Sequence, residues 1–107
     1  MAPRDEVIAA GQVPARLSKL SGWRGDTTGI AKEYRIDYDT AILIVGQIGQ
    51  VAIELEHRPD LDIRWDHLRV FMTTHTAGDV LTELDFLLAS RIDAIAAGHG
   101  AKPATTN

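Results

Sequence analysis

From Thr40 to His57 apolar residues recur every three or four positions: Ala41, Ile44, Val45, Ile48, Ala52 and Leu55 fall on one side of a helix. Gly46, Gly49 and several β-branched residues oppose a helix by intrinsic propensity. Length decides the matter, since about seventeen residues without a turn signal exceed an ordinary strand. Asp39 is the expected N-cap. The two glycines mark either close approach to a sheet or a second subunit, or tolerated surface positions, and both readings stay open at this level.

Elsewhere the period changes to two. Between Ile63 and His75, Leu68, Val70, Met72 and Thr74 share one parity and suit a core. His67, Arg69, Phe71, Thr73 and His75 share the other and face a cleft, solvent or a partner, and a tight turn at Asp66–His67 would make the stretch a hairpin. Upstream, Gly25, Asp26 and Thr27 form a turn between a strand near Trp23 and a second from Ile30 to Ile36, where Lys32 interrupts the apolar parity. Pro14 opens a short helix that reaches Leu20. Thr82-Glu83-Leu84-Asp85 resembles a capping box with Asp in the usual Glu position, and Leu84, Leu88, Ile92 and Ile95 continue it as an amphipathic helix ending before Gly98. The order α-β-β-α-β-β-α predicts an α+β fold: a four-stranded antiparallel sheet with helices on one face. One domain over 13–97 is expected, between a flexible arm (1–12) and a flexible tail (98–107).

The chain has 107 residues, a net charge of −4 and no cysteine. Disulfides and thiolate chemistry are thereby excluded, and no basic stripe suggests direct nucleic-acid binding. No apolar run is long enough for a membrane span and the N-terminus does not read as a signal peptide, so a cytoplasmic protein is expected. A protein this small buries a modest core, which makes self-association a natural supplement.

Of the four histidines, His99 sits in the tail, and no three ligands are spaced for zinc, so neither metal nor cofactor is expected. His57 follows a helix and His75 ends a strand. Element ends are where clefts form on rigid scaffolds. Imidazoles change charge near neutral pH, so two facing one pocket suit a dehydration: one proton leaves a nitrogen while another helps a hydroxyl depart.

Glu56-His57-Arg58-Pro59-Asp60, then Trp65, Thr73-Thr74-His75 and Thr82-Glu83-Leu84-Asp85 together resemble the signature of the pterin-4a-carbinolamine dehydratases. Gly22-Trp23 and Tyr34-Arg35-Ile36 match weaker features, and the resemblance spans about residues 15 to 97. It implies loss of water from 4a-hydroxytetrahydropterin, acid-base catalysis by histidine without a metal, and a homodimer or tetramer. By position it implies His57, His75 and Asp85 as catalytic groups, with Arg58, Pro59, Trp65 and Trp23 around the pterin.

Two positions depart from the family pattern. Arg58 stands where a second histidine is usual, and a guanidinium cannot accept a proton. Ile53 stands where a charged residue is usual, four positions before His57. The loop from His75 to Asp85 is also about one residue longer than the commoner family form. Two readings follow. In one, the chain is a non-catalytic relative that binds protein through a polar face near Arg64, His67 and Arg69. The relatives with eroded sites that act as RuBisCO assembly factors of the α-carboxysome are the model for this, with the RuBisCO large subunit as partner. In the other, His57, His75 and Asp85 sustain an active dehydratase.

Overall fold

The computed structural model describes residues 6–103. The expected order of elements is present: α1 (Val13–Leu17), β1 (Arg24–Asp26), β2 (Gly29–Arg35), α2 (Tyr38–Leu55), β3 (Asp60–Arg64), β4 (His67–Met72) and α3 (Glu83–Gly98). A two-residue strand, β5 (Lys102–Pro103), follows in the region read as a loose tail. All pairings are antiparallel, in the order β1-β2-β4-β3. β5 joins the β1 side of β2, opposite Tyr34 and Arg35.

Strand alternation divides the sheet into two unlike faces. Ile30, Tyr34, Leu68, Val70 and Met72 point inward and are buried with Ile44 and Ile48 of α2 and Leu88 and Ile92 of α3. Ala31, Glu33, Arg35, His67, Arg69 and Phe71 occupy the opposite face, which no helix covers among the described residues. Lys32, which breaks the apolar parity in the sequence, belongs to the inward set and is only 8% exposed. Its Nζ donates to Asp93 Oδ1 and to the Ser21 carbonyl, both at 2.8 Å. Asp93 also accepts from the Tyr34 hydroxyl and from Trp23 Nε1. A buried cation is tolerable when paired and hydrogen-bonded.

The N-cap of α2 is Asp37 rather than Asp39. Asp37 has extended backbone and its carboxylate accepts from the Thr40 N–H at 3.0 Å, whereas Asp39 lies inside the first turn. There its charge still favours the positive end of the helix. Gly46 and Gly49 do not accommodate the sheet, since a Cβ on either would meet nothing within 4 Å. Gly29 does serve a close approach, because a Cβ there would lie 2.4 Å from Phe71 Cζ.

Residues 6–12, read as part of a loose arm, lie against the start of α3. Ile8 is buried and its N–H donates to the Leu81 carbonyl, while the Glu83 N–H donates to the Glu6 carbonyl. Arg16 of α1 makes a two-pronged ion pair with Glu83, at 2.6 and 2.9 Å. These contacts position Thr82 and Asp85. Residues 1–5 of the expected arm and 104–107 of the expected tail lie outside the described residues.

Candidate functional site

Three chain reversals assemble the site. α2 ends at Leu55, and Glu56 takes a left-handed conformation with φ 52°. Glycine usually occupies such a position, because a side chain there is strained. The turn is held by the His57 N–H donating to the Ala52 carbonyl, and it carries the His57 ring inward, where it is 6% exposed. The second reversal follows β4, where Thr74 exchanges backbone hydrogen bonds with the loop residues Val80 and Asp79. The third is the start of α3, where Thr82 and Asp85 form the capping box that their spacing predicts.

Asp85 lies at the junction and is fully buried. Its Oδ1 meets His57 Nε2 at 2.6 Å. Its Oδ2 accepts from the Thr74 hydroxyl at 2.7 Å and from the Thr82 N–H at 2.9 Å. The proton directions follow from counting donors. Thr74 commits its only hydroxyl proton to Asp85, so at the 2.8 Å contact between hydroxyls Thr82 must donate to Thr74. The Thr82 oxygen in turn accepts from the Leu84 N–H. With Asp85 as a carboxylate both of its oxygens accept, so His57 donates to it through Nε2; in the neutral ring the lone pair is then on Nδ1, which makes no hydrogen bond among the described residues. Buried carboxylate–imidazole pairs elsewhere fix tautomer and ring orientation in this way.

His57, Arg58, Thr73, Thr74, His75 and Leu84 line one cleft of about 200 Å³. His75 enters from a short 3-10 turn, is largely exposed, and meets Asp79 Oδ1 through Nδ1 at 2.6 Å. Arg58 is exposed at the cleft, with no ion pair among the described residues. Asp85 is not among the residues lining the cleft, and it touches the lining through His57 and Thr74. Pro59 only leads from the cleft into β3.

Neither tryptophan lines the cleft. Trp23 is buried against Asp93, about two turns of α3 beyond Asp85. Trp65 is 80% exposed in the β3–β4 turn, at the far end of the hairpin from His57. Sequence spacing cannot reveal that a five-residue strand carries an aromatic away from the histidine it follows. Ile53 is 60% exposed on the outward side of α2. Sequence reasoning undervalued Thr74 as a hydrogen-bonding group, although a hydroxyl on the core parity of a strand requires a buried partner.

The family model described as pterin 4 alpha carbinolamine dehydratase matches residues 6–95. The chain belongs to the pterin-4-alpha-carbinolamine dehydratase family.

A Streptomyces avermitilis protein provisionally named as such a dehydratase is 37% identical over 97 residues, covering 90% of this chain and 96% of that protein. A Roseiflexus protein with the same provisional name is 36% identical over 89 residues, covering 82% and 95%. Among solved structures, a transcriptional coactivator/pterin dehydratase from Brucella melitensis superposes with TM-score 0.77 and 26% identity, covering 83% of this chain and 97% of that one. A pterin dehydratase-like protein identified as a RuBisCO assembly factor in the α-carboxysome shares the fold at TM-score 0.55 and 17% identity, covering 69% and 86%. In this member of the dehydratase family, the two histidines on one cleft differ in support. One is buried and wired to a carboxylate; the other is open to solvent.

Among the described residues no helix is long and apolar enough to cross a membrane, and no three His, Asp or Glu side chains converge as metal ligands.

Proposed function

We propose that this protein dehydrates a 4a-hydroxytetrahydropterin by paired histidine acid-base catalysis. The observation that supports the reading is the buried His57–Asp85–Thr74–Thr82 network, in which a neutral His57 donates to Asp85 through Nε2 and has its other ring nitrogen free to accept a proton. Capping α3 needs only one carboxylate oxygen, and the other is given entirely to His57.

In the proposed reaction, His57 Nδ1 takes a ring N–H proton from the carbinolamine. The nitrogen electron pair forms the new C=N bond, the C4a–O bond breaks, and His75 protonates the departing hydroxyl. The products are water and the quinonoid dihydropterin, and proton exchange with solvent through exposed His75 restores both rings. Arg58 stays charged throughout, so its contribution is a hydrogen bond to a polar edge of the pterin rather than proton transfer.

A second reading is favoured by Arg58 and Ile53 themselves: a site short of one imidazole, retained for binding protein. A role in RuBisCO assembly, in or near a carboxysome, is the form of that reading suggested by the solved structure of similar fold. Assaying the wild-type protein and Arg58→His with enzymatically generated carbinolamine separates the two. Turnover above the spontaneous rate in the wild type supports the dehydratase. A silent wild type that gains turnover on Arg58→His supports the second reading.

Self-association into a dimer or tetramer accords with both readings. It is favoured by the outward side of α2, where Ile42, Leu43 and Ile53 are 46%, 61% and 60% exposed around Gly46.

A further inference from the structure

Arg69 stands on the uncovered face of the sheet without an ion pair, in a place where the register offers two. It lies directly opposite Glu33 of β2 on one side and Asp62 of β3 on the other. Opposite charges that face one another across strands ordinarily attract. Here each carboxylate is engaged by a different base. Glu33 lies 3.8 Å from His67 Nε2, and Asp62 accepts from Arg64 at 2.9 and 3.3 Å. Among the described residues Arg69 makes no ion pair and no side-chain hydrogen bond.

Arg24 of β1 is in the same condition. It is exposed, its register partner is the uncharged Ala31, and it makes no ion pair or side-chain hydrogen bond among the described residues. Arg24 and Arg69 line one open cavity of about 260 Å³ with Gly22, Ala31, Lys32 and Glu33. Lys32 is already neutralised by Asp93, and the one acid in the lining is the Glu33 beside His67. Two guanidinium charges around one space repel each other, and an anion between them relieves the repulsion. Each also presents planar N–H donors whose fork matches a carboxylate or a phosphate. Ligand pockets usually measure about 300–1,000 Å³, so this volume limits the occupant to a small molecule.

We infer that this cavity binds a small oxyanion, a phosphate or carboxylate group held between Arg24 and Arg69. The site shares no lining residue with the His57 cleft, so it is independent of either reading of the function. It gives the uncovered sheet face a ligand of its own.

The test follows amide and arginine side-chain NMR signals of the full chain during titration with sodium phosphate and, separately, with sodium succinate. Sodium chloride at matched ionic strength is the blank. Saturable shifts are expected at Arg24, Ala31, Glu33 and Arg69. Arg24→Gln and Arg69→Gln are each expected to weaken binding about tenfold or more. Arg91→Gln, on an exposed position of α3 outside the cavity, should leave it unchanged. Both cavity variants alter exposed side chains, and their unliganded spectra show directly that the fold persists. Tighter binding of phosphate identifies the ligand as a phosphate, and tighter binding of succinate identifies a carboxylate; either supports the inference. Shifts that rise without saturation, as with chloride, overturn it. Saturable binding that survives in both cavity variants, or that centres on His57 and His75, overturns it as well.

Discussion

His57 Nε2 and Asp85 Oδ1 lie 2.6 Å apart although 28 positions separate the two residues in the chain. The contact joins the end of α2 to the first turn of α3, so a single carboxylate both starts a helix and orients an imidazole. Asp85→Asn replaces one acceptor oxygen with an NH2 that faces either a donating ring nitrogen or the donors at Oδ2. We predict a loss of about 2 kcal/mol in stability and a fall in dehydration rate of about two to four orders of magnitude. Urea denaturation and single-turnover kinetics measure the two effects.

His75 differs in kind. Its side chain is 69% exposed and its bonded partner Asp79 equally so. His75→Ala is therefore predicted to change stability by less than about 0.5 kcal/mol and to reduce the dehydration rate by about a hundredfold. Thr74→Val should do the opposite to stability, lowering it by about 1–3 kcal/mol, since Asp85 and Thr82 both lose a partner. Thermal melts of the two variants side by side distinguish them.

The Asp93 cluster is predicted to stabilise the fold without touching the chemistry. Asp93→Ala leaves Lys32 buried and unpaired and frees the Tyr34 hydroxyl and the Trp23 indole. A cost of about 3 kcal/mol is expected, with the dehydration rate of the folded fraction unchanged. Combining Lys32→Met with Asp93→Ala should recover part of the loss, which a double-mutant cycle reads directly.

Burial and the neighbouring Asp93 carboxylate hold the Tyr34 phenol protonated well above its ordinary range. A folded-state value raised above the unfolded one contributes stability that is fully present below the unfolded value near 10 and declines as pH rises beyond it. We predict that stability falls above about pH 10 and falls less steeply in Tyr34→Phe. Denaturant titrations across that range check the slope.

If the outward side of α2 is a contact between copies, Ile53→Lys should shift the sedimentation profile toward monomer. Lys19→Glu, on an exposed residue elsewhere, should not.

The fold was legible because its periodicities are clean. Ala41, Ile44, Ile48 and Ala52 set the buried face of α2, and the alternation from Leu68 to Met72 set that of β4. Lys32 was not legible as a core residue, because its partner Asp93 lies 61 positions away on the neighbouring layer. Local patterning also could not show that residues 6–12 and β5 are tied down, since both depend on backbone contacts with elements distant in sequence. At the site, residue type and position at element ends pointed to His57 and His75, and the family resemblance added Asp85. The role of Thr74 depends instead on which partners its hydroxyl finds after folding. The two tryptophans show the limit of carrying a motif over by position: Trp23 packs into the core and Trp65 stands in solvent at the opposite end of a hairpin.

The most direct measurement is the single-turnover rate of water loss from 4a-hydroxytetrahydropterin with the wild-type protein and with His57→Gln. We predict acceleration at least about a hundredfold above the spontaneous reaction, lost in the variant. A wild-type rate equal to the spontaneous one, from protein that is folded and binds pterin, would contradict the proposed catalytic role of the His57–Asp85 pair.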